Sequence, residues 1–229
     1  MNDLRERVDK IRGRIRQAAA RAGRDPEEVR LMAVTKLKSS ELVAEAYEAG
    51  LRLFGENRVQ EAYEKYSEFH EDAELHIIGH LQTNKARKAA EIASCVQSID
   101  KLKTAEELEK RCAAMDKVMD IYLEFNTSGE ESKSGYRSRE ALFADVERIG
   151  SLPHLRVRGL MTIGPLTGDE SAIREAFRDL RRLFEEVSSR FPGLPLTELS
   201  MGMTSDFEIA IEEGSTMVRV GTALFGSRE

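Results

Sequence analysis

Short apolar runs alternate with stretches of helical periodicity along almost the whole chain, and this alternation limits the possible folds more than any other feature. The runs occupy residues 31–36, 51–57, 75–80, 95–100, 118–126, 155–163, 196–202 and 216–222. Strands that alternate with helices pair in parallel through right-handed crossovers. Eight such units predict an α/β fold, a closed TIM-like (β/α)8 barrel, with an open, doubly wound sheet as the alternative.

An additional helix is predicted before the first run. Apolar residues recur there every three or four positions, and Gly23 follows them as a stop signal. We expect this helix within residues 1–24, packed on the barrel. No linker rich in Gly, Ser or Pro divides the remaining chain, so we predict one domain over residues 1–229. The Gly- and Ser-rich stretch 126–135 is expected to be a loop after the fifth strand.

The composition excludes several classes of protein. The net charge is −6, from 41 acidic against 35 basic residues, whereas a dedicated nucleic-acid-binding protein normally has a basic surplus. No apolar run approaches the ~20 residues that a membrane span needs. The charged first residues are unlike a secretory signal, so we expect a cytoplasmic protein. We interpret Cys95 and Cys112 as free thiols rather than a disulfide or metal ligands.

Polar and glycine residues concentrate where the predicted strands end. Barrels of this kind carry their functional residues at the carboxyl ends of the strands, on the loops that lead into the helices. These positions therefore predict a site at one mouth of the barrel. They are Lys36, Gly55, Glu56, Asn57, Gly79, His80, Asn126, Ser200, Gly202, Gly221 and Thr222.

The ends of the seventh and eighth strands have the features of a phosphate site. The segments 199–206 and 218–226 supply small residues, hydroxyl groups and backbone N–H groups. Glycine lets a phosphate approach the backbone closely, and phosphates in these barrels often bind at the loops after these two strands. The alternative is two ordinary turns in which Ser and Thr cap the following helices.

Lys36 and Arg219 are candidate reactive groups on the same rim. Lys36 directly follows a buried strand, and a desolvated lysine beside other cations can attack a carbonyl. The alternative is a surface lysine, which is one interpretation of Lys38. Arg219 lies in an otherwise apolar strand, where it forms either a core ion pair or a contact with a pyridine nitrogen of a cofactor.

Two other polar groups have simpler interpretations. His76 and His80 are four residues apart, but they lie on a strand rather than a helix and no third ligand is near in the sequence. We predict no metal site and a hydrogen-bonding role for His80. The basic segment 85–88 is predicted to be a solvated face rather than an RNA contact.

Several segments together resemble one known family, the pyridoxal phosphate homeostasis proteins. The longest and most specific is LSMGMTSDFEIAIEEGSTMVRVGTALFG at 199–226. The resemblance covers nearly the whole chain and implies a fold similar to the barrel domain of alanine racemase. The other matching segments are AVTK (33–36), FGENRVQE (54–61), HIIGHLQTNK (76–85), SKSG (132–135) and GLMTI (159–163).

The resemblance implies a cofactor, pyridoxal 5′-phosphate, and assigns a role to each site residue. Lys36 would hold the cofactor as a Schiff base, Asn57 would line it, and Arg219 would face its pyridine nitrogen. The phosphate would be held by Ser200, Gly221 and Thr222. Ser39 and Leu75 depart from residues common in the family, but neither is at an implied cofactor contact.

The implied function is intracellular pyridoxal phosphate homeostasis without an established reaction. Such a protein sequesters a reactive aldehyde and passes it to apo-enzymes, its implied partners. The alternatives are a pyridoxal-phosphate-dependent amino-acid racemase and a cofactor-free barrel enzyme that acts on a phosphorylated metabolite. We expect a monomer or weak homodimer that contacts neither nucleic acid nor membrane.

Overall fold

Parallel strands close into a barrel in the computed structural model, which describes residues 2–66 and 70–226. Within these residues, the eight strands follow one another around the barrel in chain order. They are β1 (Arg30–Val34), β2 (Leu53–Glu56), β3 (Glu74–Ile77), β4 (Cys95–Ile99), β5 (Met119–Glu124), β6 (Leu155–Met161), β7 (Glu198–Met203) and β8 (Met217–Val220).

The pairing of β1 with β8 closes the barrel. These strands run parallel, with Ala33 opposite Val220 and Met32 opposite Arg219. Each predicted apolar run overlaps one strand, and the closed barrel is confirmed over the open sheet. Parallel strands need a crossover connection, and helices supply it on the outside of the barrel.

The described helices lie before the first strand, between successive strands and after the last one. They are α1 (Asn2–Arg21), α2 (Ser40–Glu48), α3 (Val59–Tyr66), α4 (Ala86–Ile92), α5 (Leu102–Ala113), α6 (Arg139–Gly150), α7 (Glu170–Arg190), α8 (Phe207–Glu212) and α9 (Thr222–Phe225). Short 3-10 turns occur at Pro26–Glu28 and Thr83–Lys85. None of the described helices is long and apolar enough to cross a membrane.

Helix α1 packs against the end of the chain. It contacts α8 and α9, and its buried face has the predicted helical spacing of Leu4, Val8, Ile11, Ile15 and Ala18. Just after α1, the Arg24 guanidinium donates to the carbonyl oxygens of Ile211 and Ser215, both at 2.8 Å. The prediction of one domain over 1–229 extends to residues 1, 67–69 and 227–229, which lie outside the described residues.

The core has two layers. The larger one lies between the strands and the surrounding helices, and includes Phe54, Phe177 and Phe207. The smaller one fills the inside of the barrel with Met32, Leu53, Cys95, Tyr122, Met161 and Met217. Because these side chains plug the amino-terminal part of the barrel, open space is left at the carboxyl ends of the strands. Cys95 and Cys112 are buried free thiols.

Candidate functional site

A cavity of about 590 Å³ opens at the carboxyl ends of the strands. Its size is typical of a site for a small ligand. Ile78 and Ile163, which pack against the inner core layer, contribute apolar surface. The polar lining comes from several strand ends and loops: Lys36, Asn57, His80, Glu124, Ser132, Lys133, Ser134, Thr204, Ser205, Arg219 and Thr222. The structure thus brings Lys36, Asn57, Arg219, Gly221 and Thr222 together around one space.

Lys36 reaches the cavity from the loop that follows β1. Its half-buried side chain belongs to the lining, whereas Lys38 does not. The Lys38 ammonium group instead donates to the carbonyl oxygen of Phe225 at 3.3 Å. Of these two neighbouring lysines, Lys36 is therefore the one whose amine is placed for chemistry in the cavity.

Asn57 is held at the rim by a close approach of two loops. A side chain at Gly79 would place its Cβ 2.2 Å from the carbonyl oxygen of Asn57, so only glycine fits there. This contact brings the end of β3 directly against the residue that follows β2. The glycine of the HIIGH segment thus has a packing role beside the cavity.

His80 lies at the rim of the cavity beside Asp100. Its Nδ1 is 3.2 Å from a carboxylate oxygen of Asp100, which follows β4. His76 is buried in the barrel, where its Nδ1 contacts the Gln97 amide nitrogen at 2.8 Å. The described residues contain no group of three His, Cys, Asp or Glu side chains that could hold a metal ion.

The end of β7 and the turns after β7 and β8 border one side of the cavity. Gly202 adopts a φ of +95°, and a Cβ there would lie 2.9 Å from the Cα of Phe207. A Cβ on Gly221 would lie 3.3 Å from the carbonyl oxygen of Val34. Both glycines therefore allow the backbone to pack closely at these positions. Three residues with hydroxyl groups line the cavity nearby: Thr204, Ser205 and Thr222.

The structure places Ser200 below this rim, whereas the sequence analysis predicted it at the end of the seventh strand. Ser200 is fully buried and is not among the lining residues. Its hydroxyl donates to the Gln97 side-chain oxygen at 2.6 Å and accepts from Arg219 at 2.8 Å. Strand β7 continues to Met203, so Ser200 lies within the barrel and not at its mouth.

Arg219 is anchored by hydrogen bonds instead of a core ion pair. One guanidinium nitrogen donates to the carbonyl oxygen of Ser200 at 2.8 Å, and the other donates to that of Thr162 at 2.7 Å. Burial lowers the pKa of Arg219 to about 10, while Asp206 and Glu124 oppose this change. The guanidinium group therefore remains a fixed positive charge at neutral pH, and it contributes to the cavity wall.

Glu124 is a site residue that our sequence analysis did not identify. It ends β5, is only 3% exposed and belongs to the cavity lining. Burial, together with the negative charge of Asp100, raises the pKa of Glu124 to about 7. Its Oε2 has no hydrogen-bond partner among the described residues. The signal in the sequence was an acidic residue directly after the apolar residues Ile121, Tyr122 and Leu123, at the end of a strand.

Lys133 adds a second lysine to the lining. It belongs to the SKSG segment, to which we had assigned no role. Its ammonium group donates to the Glu130 carboxylate at 2.6 Å and to the carbonyl oxygen of Gly164 at 2.8 Å. Lys133 therefore joins the loop after β5 to the adjacent loop after β6 at the mouth of the barrel.

Comparison with known proteins places this geometry in a family. The family model described as alanine racemase, N-terminal domain, matches residues 7–229. The pyridoxal phosphate homeostasis protein of Pseudomonas aeruginosa is 45% identical and aligns with 100% of this chain and 97% of its own length.

Solved structures agree with the sequence comparison. PipY of Synechococcus elongatus, solved with pyridoxal phosphate bound, is 36% identical with a TM-score of 0.86, over 97% of this chain and 100% of PipY. Alanine racemase of Clostridium difficile has a TM-score of 0.81 at 11% identity, over 100% of this chain and 60% of that enzyme. The likeness to alanine racemase extends to the fold alone.

Proposed function

Since this chain belongs to the alanine racemase N-terminal domain family and, within it, to the pyridoxal phosphate homeostasis proteins, we propose that it binds pyridoxal 5′-phosphate covalently through Lys36. One observation carries the proposal: a single cavity holds a lysine, a buried arginine and several hydroxyl groups. The cofactor would supply an aldehyde that condenses with an amine. The residues present fit it: Lys36 offers an amine for the aldehyde, Arg219 a guanidinium group for the pyridine nitrogen, and the rim hydroxyls donors for the phosphate.

We assign the residues as follows. Lys36 bonds the aldehyde carbon, Asn57 lines the cofactor, and the fixed charge of Arg219 faces the pyridine nitrogen. Gly221 and Thr222 hold the phosphate. Ser205, which lies on the rim, replaces the buried Ser200 as the hydroxyl contributed from the end of β7.

The cellular role that we propose is storage and delivery of the cofactor. A protein that holds a reactive aldehyde reversibly limits its side reactions and can pass it to apo-enzymes. Such enzymes are the proposed partners, and the protein acts as a monomer or weak homodimer. A cytoplasmic location remains a prediction from the sequence.

The test of cofactor binding is a titration followed by visible absorbance. Pyridoxal phosphate should form a Schiff base and bind much more tightly than pyridoxal, because only the former has a phosphate. Thr222→Val and Ser205→Ala should each weaken binding by ~1.5–3 kcal/mol, the worth of one hydrogen bond to a charged group. Ser151→Ala, which removes an exposed hydroxyl on the end of α6, should leave binding unchanged.

Two outcomes would contradict this assignment, and each removes a different part of it. Equal affinity for pyridoxal phosphate and pyridoxal would contradict the proposed phosphate site. If neither aldehyde formed a Schiff base with the protein, the proposed covalent binding of the cofactor would be wrong.

We further propose that the loaded protein does not racemise amino acids. Racemisation needs two acid–base groups on opposite faces of the substrate carbon. Besides Lys36, the acid–base groups of the cavity are His80 and Lys133, which both contact acidic partners on the rim, and Glu124, which is buried at the end of β5. An arginine beside the pyridine nitrogen also disfavours protonation of the ring, which weakens it as an electron sink.

The measurement for this proposal is α-proton exchange in D₂O with chiral analysis over a panel of D- and L-amino acids. We expect the loaded protein to give no more exchange than free pyridoxal phosphate. Robust turnover that disappears in Lys36→Ala would establish the racemase alternative instead.

A further inference from the structure

The loop that carries Lys36 has an unusual backbone conformation. Leu37, the next residue, has a φ of +60°, in the left-handed region that non-glycine residues rarely adopt. Its side chain is 60% exposed, so apolar packing does not explain the conformation. Some other interaction must hold this peptide in place.

Two residues of α3 hold the backbone on both sides of Lys36. The Glu61 carboxylate accepts a hydrogen bond from the backbone N–H of Leu37. The Lys65 ammonium group donates to the carbonyl oxygen of Thr35 at 2.8 Å. Glu61 and Lys65 are one helical turn apart and form an ion pair at 2.6 Å, so they act as one unit.

Buried contacts hold the Glu61–Lys65 pair in place. The Lys65 side chain is only 8% exposed and also pairs at 3.0 Å with Glu56, whose side chain is fully buried. The Thr35 hydroxyl donates to the same Glu56 oxygen at 2.8 Å. The ends of β1 and β2 and the helix α3 are therefore joined through one charged cluster directly behind Lys36.

We propose that Glu61 and Lys65 are positioning residues that fix the peptide units on both sides of Lys36 and so aim its amine into the cavity. The proposal rests on the function proposed for Lys36. The N–H that Glu61 holds belongs to the peptide bond between Lys36 and Leu37. Without the carboxylate, Leu37 relaxes toward a negative φ, and the rotation of this peptide moves the Lys36 side chain.

The test replaces Glu61, because removing Lys65 would leave two carboxylates of the cluster without their cation. Glu61→Ala should slow Schiff-base formation at Lys36 about tenfold, as expected for the loss of one charge-assisted hydrogen bond. In the apoprotein it should also accelerate hydrogen exchange of the Leu37 amide. Glu64→Ala, on the same helix with an exposed side chain, is the matched control and should change neither rate.

A second substitution separates positioning from a general loss of stability. Glycine adopts positive φ without strain, so in a Leu37→Gly background the loop needs less restraint. The effect of Glu61→Ala on the rate should shrink there to less than about threefold, a coupling between the two sites. Glu61→Leu, which keeps a side chain of similar size but has no hydrogen-bond acceptor, serves the same comparison if the alanine variant folds poorly.

The possible failures are distinguishable. If the unaltered protein forms no Schiff base at Lys36, the proposed function fails, and the Leu37 amide exchange still reports on the restraint. If the unaltered protein reacts at Lys36 but Glu61→Ala reacts equally fast, the positioning role is wrong. Equal effects of Glu61→Ala in both backgrounds would also contradict it.

Discussion

Lys36→Ala is expected to abolish covalent binding of pyridoxal phosphate while the barrel stays folded. The substitution removes the amine that condenses with the aldehyde, and the other lysine of the lining, Lys133, is held by Glu130 and the carbonyl oxygen of Gly164. Lys36 lies beyond the end of β1 and outside both core layers, so the free energy of unfolding should change by about 1 kcal/mol or less. Residual binding through Thr222 and Arg219 should remain, because these groups recognise other parts of the cofactor.

Borohydride reduction followed by peptide mapping measures this directly. In the unaltered protein the pyridoxyl group should be found on Lys36, and in Lys36→Ala no lysine of the cavity should carry it at comparable yield. Lys38→Ala is the matched control, because Lys38 lies two residues away but contacts the Phe225 carbonyl rather than the cavity. Labelling found chiefly on Lys38, Lys85 or Lys133 would disprove the assignment.

The fold was predictable because its signal is local and repeated. Each strand has a short apolar run, and the helices have an apolar stripe. The alternation of strands and helices can therefore be predicted without knowledge of contacts between distant residues. The strand ends were predictable for the same reason, and Lys36, Asn57 and Thr222 follow from them. Parallel pairing then brings all carboxyl ends to one mouth of the barrel.

Depth within the barrel was not predictable from the same signal. Ser200 and Met203 lie on the same strand, but only Met203 reaches the cavity. The pairing of β7 with β8 shifts register between these two residues, and Gly202 turns the backbone there. Such a shift depends on tertiary packing, so the sequence pattern does not indicate which polar residue lies at the rim.

The sequence analysis did not identify the roles of Glu124, Glu61 and Lys65, because these roles also depend on tertiary contacts. The pKa of Glu124 depends on burial by the closed barrel and on the charge of Asp100, which follows β4. Glu61 and Lys65 look like ordinary polar residues of a helix, and their roles emerge only when α3 packs behind the end of β1. A short segment of the sequence therefore indicates neither the raised pKa of Glu124 nor the contacts of Glu61 and Lys65.

Glu124 should make the apoprotein less stable as the pH rises toward neutral. Its pKa is about 7 in the folded protein, above the ordinary carboxyl value of 4.5. Between these values the unfolded chain has released the proton and the folded chain still holds it. Stability from this group is therefore fully present below about pH 4.5 and is lost as the pH rises through 7.

Glu124→Gln removes this titration. Glutamine has nearly the shape of a protonated glutamate, so the two proteins should unfold similarly near pH 4.5. At pH 8 the variant should be more stable by roughly 3 kcal/mol, since each unit of pKa corresponds to about 1.4 kcal/mol. Urea unfolding of both apoproteins across this pH range measures the difference.

Asp100→Asn tests whether the charge of Asp100 contributes to the raised pKa of Glu124. Asp100 contributes a negative charge that raises the pKa of Glu124, so removing that charge should lower this pKa and shrink the loss of stability between pH 4.5 and 8. Glu131→Gln, an exposed carboxylate in the loop after β5, should leave the profile unchanged. If Glu124→Gln and the unaltered protein had parallel profiles, Glu124 would already be ionised at neutral pH. The cavity would then present a negative charge, not a neutral carboxyl group, to the cofactor.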